Sequence, residues 1–133
     1  MMSENEIHRI CKEYGIKNYT INSDGSIDVD GNVDISLYYL NLIPIKFNKV
    51  SGYFSCSNNY LTNLENCPNE VGRDFYCSHN RLSNLMGLPS NIGGYTYCYG
   101  IESLEGYTGN YNRIRCDNKH IRKYKISLLK NKL

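Results

Sequence analysis

The sequence predicts an α/β-type solenoid, in which short repeats stack side by side instead of wrapping one central core. The first observation is a copied stretch. Phe54-Ser55-Cys56-Ser57-Asn58-Asn59-Tyr60-Leu61-Thr62-Asn63-Leu64 returns 21 residues later as Phe75-Tyr76-Cys77-Ser78-His79-Asn80-Arg81-Leu82-Ser83-Asn84-Leu85. The second is the pattern they share, apolar-x-apolar-x-x-Asn-x-Leu-x-x-Leu, which alternates like a strand and then turns. The third is the composition of the 133-residue chain: 41% is apolar, but 13 of those residues are Tyr, so the aliphatic core is a thin ribbon whose ends need caps. The expected product is a curved parallel β-sheet of about five strands with a loop or 3-10 convex side, an N-terminal capping helix plus β-hairpins, and a C-terminal cap.

In chain order, residues 1–31 read as the N-terminal cap. Ser3 and Glu6 form a capping box, Ile7, Ile10, Cys11 and Tyr14 make one apolar stripe at helical spacing, and Gly15 supplies a left-handed stop. Tyr19 to Ile21, Ile27 to Val29 and Val33 to Ile35 alternate in short runs separated by Asp24-Gly25 and Asp30-Gly31. Such Asp-Gly turns predict a small β-meander whose last strand opens the repeat sheet. Asp24, Asp28, Asp30 and Asp34 lack the loop length and terminal Glu of a helix-loop-helix calcium site, and they read as solvated strand positions.

Residues 32–121 read as repeats, over 32–52, 53–73, 74–94, 95–112 and 113–121. Each supplies an apolar strand pair and a Leu pair, then a return segment such as Pro68 to Gly72 or Pro89 to Gly93, expected to be extended and unpaired, with Gly72 and Gly93 allowing the turn into the next strand. The fourth repeat, with Tyr99-Gly100-Ile101, is two residues shorter before its Leu-like pair and lacks the Asn. Cys56, Cys77, Cys98 and Cys116 share one repeat position and read as buried, reduced thiols; no pair of Cys-x-x-Cys motifs is present, so no metal is expected. Cys77 and His79 have no third group to orient them, and no glycine-rich phosphate loop leads from a strand into a helix, so an enzyme is not expected and no cofactor is implied. Residues 122–133 form a basic C-terminal cap, with Tyr124, Ile126, Leu128, Leu129 and Leu133 as its apolar side.

At these residues the chain resembles leucine-rich repeat proteins, in particular the short Cys-Ser-Asn-Asn-x-Leu-Thr-x-Leu type of bacterial-virus genomes with its Asp-Gly-Ser-Ile-Asp-Val-Asp-Gly lead-in. The likeness spans residues 19 to 121. It implies that Asn59 and Asn80 bond backbone along the convex turn and that the concave strand face binds another protein. The most concrete form of this is a phage-encoded inhibitor of a host defence protein.

Strand alternation assigns that face. If Phe54 and Cys56 point inward, the outward columns are Asn32, Asp34, Ser36; Tyr53, Ser55, Ser57; Asp74, Tyr76, Ser78; Tyr95, Tyr97, Tyr99; and Arg113, Arg115, Asp117. Aromatics favour strands on their own account, yet this many on outward positions point to an interface, where tyrosine offers large, stiff contact area with a polar tip. The expected partner site is therefore Tyr53, Asp74, Tyr76, Tyr95, Tyr97, Tyr99, Arg113 and Arg115. Residues 113–133 carry eight Lys or Arg against Asp117 alone, within an overall charge of +2. Lys119, Arg122, Lys123 and Lys125 thus form a basic flank. That flank supports a rival reading, a binder of nucleic acid or a nucleotide-like anion, because cations beside rings are what single-strand binders use. A purely structural, self-assembling role is the third. Met1 to Glu6 show no charged-then-apolar leader and no apolar run approaches the roughly 18 residues that cross a bilayer, so a cytoplasmic protein without a membrane partner is expected.

Overall fold

The computed structural model describes residues 1–131, except for the side chains of residues 124, 125 and 127–131. It is a β-solenoid of about four turns with a 21-residue period. Helix α1 (Glu4–Glu13) opens the chain; the Ser3 side chain accepts a hydrogen bond from the Glu6 backbone N–H, and Gly15 follows the helix at φ +67°. Ile7, Ile10 and Cys11 are buried, and Tyr14 packs edge-on against Tyr38 of the first turn. The apolar stripe thus closes the N-terminal end of the core.

Strands β1 (Tyr19–Ile21) and β2 (Ile27–Val29) form the antiparallel hairpin that Asp24-Gly25 dictates, while β3 (Val33–Asp34) leaves β2 and pairs in parallel with β5 (Phe54–Ser55). β5 pairs with β7 (Phe75–Tyr76), β7 with β9 (Thr96–Tyr97), and β9 with β10 (Ile114–Arg115). These five strands are the repeat sheet that the sequence predicts, called here the tyrosine sheet.

The structure adds a second sheet. The return segments, expected to be unpaired, form strands β4 (Phe47–Val50), β6 (Glu70–Val71) and β8 (Asn91–Ile92), which extend the β1–β2 hairpin in the order β1-β2-β4-β6-β8. Each rung hydrogen-bonds the next: the Gly72 amide reaches Val50 O at 2.9 Å and the Gly93 amide reaches Val71 O at 2.8 Å. Unpaired amides there would each carry a desolvation cost, which the ladder removes.

The core lies between the two sheets. Ile27, Val29, Val50 and Val71 point in from one side, and Val33, Phe54, Phe75, Ile35, Cys56, Cys77 and Cys98 from the other. Phe54 and Phe75 stack at 5.8 Å and Phe47 meets Phe54 edge-on at 5.0 Å. Each buried Phe is worth about 2 kcal/mol in transfer free energy. Asn59 and Asn80 hold the turns as expected. Asn59 Oδ1 accepts from Tyr38 N and Leu40 N, and its Nδ2 donates to the carbonyls of Ile35, Cys56 and Ser57. Asn80 Oδ1 accepts from Leu61 N, while its Nδ2 donates to Cys56 O, Cys77 O and Ser78 O.

The shortened fourth turn places the 3-10 helix η1 (Tyr111–Arg113) where a further return strand would come. Helix α2 (Asn118–Asn131) then covers the C-terminal end, with His120 buried and its Nε2 2.8 Å from Ile101 O. Ile126 is exposed; the other side chains expected on the apolar side of this cap, Tyr124, Leu128, Leu129 and Leu133, lie outside the described residues. Among the described residues no helix is long and apolar enough to cross a membrane.

Candidate functional site: the tyrosine sheet

The inward seat of Phe54, Cys56, Phe75, Cys77 and Cys98 forces the alternate residues outward. Tyr53, Tyr76 and Tyr97 are half-buried, while Tyr95 and Tyr99 keep 40% and 38% of their surface exposed, so none of the five belongs to the core. Four of the rings, those of Tyr53, Tyr76, Tyr97 and Tyr95, form one continuous layer. Tyr76 and Tyr97 stack at 4.7 Å with 11° between planes, Tyr53 meets Tyr76 edge-on at 6.0 Å, and Tyr95 leans on Tyr97 at 6.4 Å. The stack follows from parallel register, which puts Tyr76 directly beside Tyr97 on strands about 4.8 Å apart.

Polar side chains in the other columns close gaps in the ladder. Asp74 Oδ1 accepts from the Tyr95 amide at 2.7 Å, and its Oδ2 accepts from the Tyr76 hydroxyl at 3.2 Å. Burial among its neighbours, then the Asp74 charge, pushes the Tyr76 hydroxyl above its ordinary pKa. Asn32 Oδ1 accepts from the Tyr53 amide in the same way. Alternation places Ser57 and Ser78 on the outward face, but both are buried: Ser57 Oγ accepts from Ser78 N and Ser78 Oγ from Tyr99 N, so these hydroxyls turn back onto the backbone of the next rung. Asp117 reaches the other way, accepting from Gly100 N of the preceding rung.

Arg115 extends the layer by placing its guanidinium carbon 4.4 Å from the centre of the Tyr95 ring, and Arg113 donates from Nη1 to Gly93 O. Lys119, Arg122 and Lys123 are exposed on the first turns of α2, next along the chain from the Arg113 and Arg115 end; the Lys125 side chain lies outside the described residues.

One neighbouring feature escapes a reading of the strands alone. Past the tyrosine sheet, Tyr39 stacks on Tyr60 at 6.0 Å and the Arg81 guanidinium carbon lies 4.5 Å over the Tyr60 ring. Positions 39, 60 and 81 are one period apart, so the spacing carried the signal.

The cysteine column is buried, and its thiols are free. Burial pushes the thiols of Cys56, Cys77 and Cys98 well above their ordinary value, Cys98 to about 12, and does the same to Cys67 outside the column. Among the described residues no cluster of three or more His, Cys, Asp or Glu could hold a metal ion. Comparison with protein-family models, with curated proteins and with solved structures returned no match.

Proposed function

We propose that this chain is a non-enzymatic binding module that holds another protein against its tyrosine sheet. One observation carries the reading: five tyrosines stand outside the core, and four of them, Tyr53, Tyr76, Tyr97 and Tyr95, form a continuous ring layer that adds little to the repeat scaffold. A stiff aromatic layer with hydroxyl tips costs little side-chain entropy when it is covered, and for that reason Tyr concentrates in interfaces. Asp74 serves the layer by holding Tyr76 and Tyr95, and Arg115 widens it over Tyr95.

Affinity capture from lysate of the cells in which the protein acts tests this. The Tyr76→Ala, Tyr97→Ala double variant loses the captured protein while its melting temperature stays within a few degrees of wild type. Tyr60→Ala, off the sheet, retains capture. Equal capture by all three refutes the assignment of the face. A second reading, single-stranded nucleic acid along the same face, is favoured by the exposed cations Lys119, Arg122 and Lys123 beyond the rings.

A further inference from the structure

Two arginines at the C-terminal edge of the tyrosine sheet are posed in advance. Arg115 lies over the Tyr95 ring, and its Nη1 donates to Asn112 O at 3.0 Å and to Ile114 O at 3.1 Å. Arg113 is tethered at one nitrogen, 2.9 Å from Gly93 O. Carbonyls orient a guanidinium without neutralising it, and they leave its remaining N–H groups to face a ligand. Pinning a long side chain in this way removes rotamer entropy that binding would otherwise cost.

The charge at this edge is unmatched. Among the described residues the ion pairs are Arg9–Glu13, Lys46–Asp24 and Lys49–Glu70, and none involves Arg113, Arg115, Lys119, Arg122 or Lys123. Two carboxylates share this end of the face, and both are held by the scaffold: Asp74 by Tyr95 N and the Tyr76 hydroxyl, Asp117 by Gly100 N. Five cations therefore face two engaged carboxylates.

The rings discriminate between anions. A single-strand binder needs open ring faces on which bases can lie. Here Tyr76 is stacked on Tyr97 and met by the Tyr53 ring, and a face of Tyr95 is covered by Arg115. The half-pinned guanidinium, by contrast, keeps a planar edge that suits a carboxylate.

We infer that the partner docks through an acidic extended segment, its Asp or Glu carboxylates on Arg113 and Arg115 and an adjoining aromatic or aliphatic side chain against the Tyr76–Tyr97 layer. The inference rests on the protein-binding reading of this sheet and specifies the partner's chemistry.

A library of displayed random twelve-residue peptides, selected on the full chain at physiological salt, tests it. Synthetic copies of the selected peptides are then titrated against wild type, Arg113→Gln/Arg115→Gln and Tyr76→Ala/Tyr97→Ala, with oligothymidylate titrated in parallel. The expected pool is enriched in Asp and Glu next to an aromatic or aliphatic residue. These peptides bind the arginine double variant at least about tenfold more weakly, the loss expected on removing charge-assisted pairs. If the double variant does not fold, Arg113→Gln alone, which removes the side-chain hydrogen bond to Gly93 O, gives a smaller loss in the same direction. Peptides that need Tyr76 and Tyr97 but show no acidic enrichment and ignore the arginine changes overturn the acidic partner while leaving the face reading intact. Peptides indifferent to both double variants overturn both readings. Tyrosine-dependent binding of oligothymidylate tighter than that of any peptide overturns the inference in favour of nucleic acid.

Discussion

Leu37 occupies the left-handed region at φ +62° with 71% of its surface exposed. One period on, Asn58 and then His79 hold the same corner at φ +56°, and Gly100 holds it at +83°. The corner demands a conformation that Asn and Gly adopt readily and a leucine adopts at a cost of roughly 1–2 kcal/mol. Leu37→Asn therefore raises stability by about 1 kcal/mol, measured as a higher urea midpoint at unchanged slope. Asn59 is the opposite case. Its single side chain satisfies two amides and three carbonyls inside a buried turn, and Asn59→Ala costs about 3 kcal/mol in the same measurement because those groups lose partners they cannot replace with water. The thiols add a pH dependence. An unfolded cysteine ionises near pH 9, but burial holds Cys67 and Cys98 protonated until about 12. The folded chain then retains protons that the unfolded chain has released. The stability these thiols contribute is complete below pH 9 and declines as pH rises toward 12. Thermal melts across that range show the decline, and Cys98→Val reduces its slope.

At the scale of elements, the hairpin, the first helix and the tyrosine sheet were all legible, because capping, Asp-Gly turns and alternation are local and each repeats or stands alone. The return sheet was not. β6 and β8 are two residues long, too short for alternation to register, and only their stacking at the repeat period makes them strands. The signal was present in another form, as Lys49-Val50-Ser51-Gly52, Glu70-Val71-Gly72-Arg73 and Asn91-Ile92-Gly93-Gly94, a polar residue and a β-branched one before two mostly small residues. Gly72 and Gly93 are needed for packing between rungs and not for an unusual φ: a Cβ on Gly93 would stand 2.1 Å from Gly72 O. Gly94 meets a different constraint. A Cβ there would stand 2.1 Å from Asp74 Oδ1, the atom that accepts from the Tyr95 amide. Gly52 lies under Asn32 Oδ1 in the same way, and the intervening rung carries Arg73, where the preceding Tyr53 sends no such cap across. Gly94→Ala therefore displaces the Asp74 side chain and destabilises the protein. In Asp74→Ala the same glycine change costs clearly less, and a double-mutant cycle reads the coupling between the two sites.

For the whole molecule, the two parallel sheets act as a register device. They hold Tyr53, Tyr76, Tyr97 and Tyr95 at rung spacing and put Arg113 and Arg115 at one end of the layer. The face itself was legible from alternation. What alternation could not give is the work each polar group does inside it: Ser57, Ser78 and Asp74 bond the next rung, while Arg115 lies over Tyr95. Those assignments depend on side chains reaching across the period, 20 or 21 residues away in sequence, beyond any local pattern. Since Tyr97 lies outside the core, its removal is expected to cost only about 1 kcal/mol of folding stability, the value of one cross-strand aromatic pair. The most direct measurement is the affinity of the captured partner for wild type, Tyr97→Ala and Tyr60→Ala, each with its melting curve. A large loss of affinity confined to Tyr97→Ala, with all three chains folded, is the predicted result. Unchanged affinity in a folded Tyr97→Ala, or a loss that appears equally in Tyr60→Ala, would contradict the claim that this sheet is the binding face.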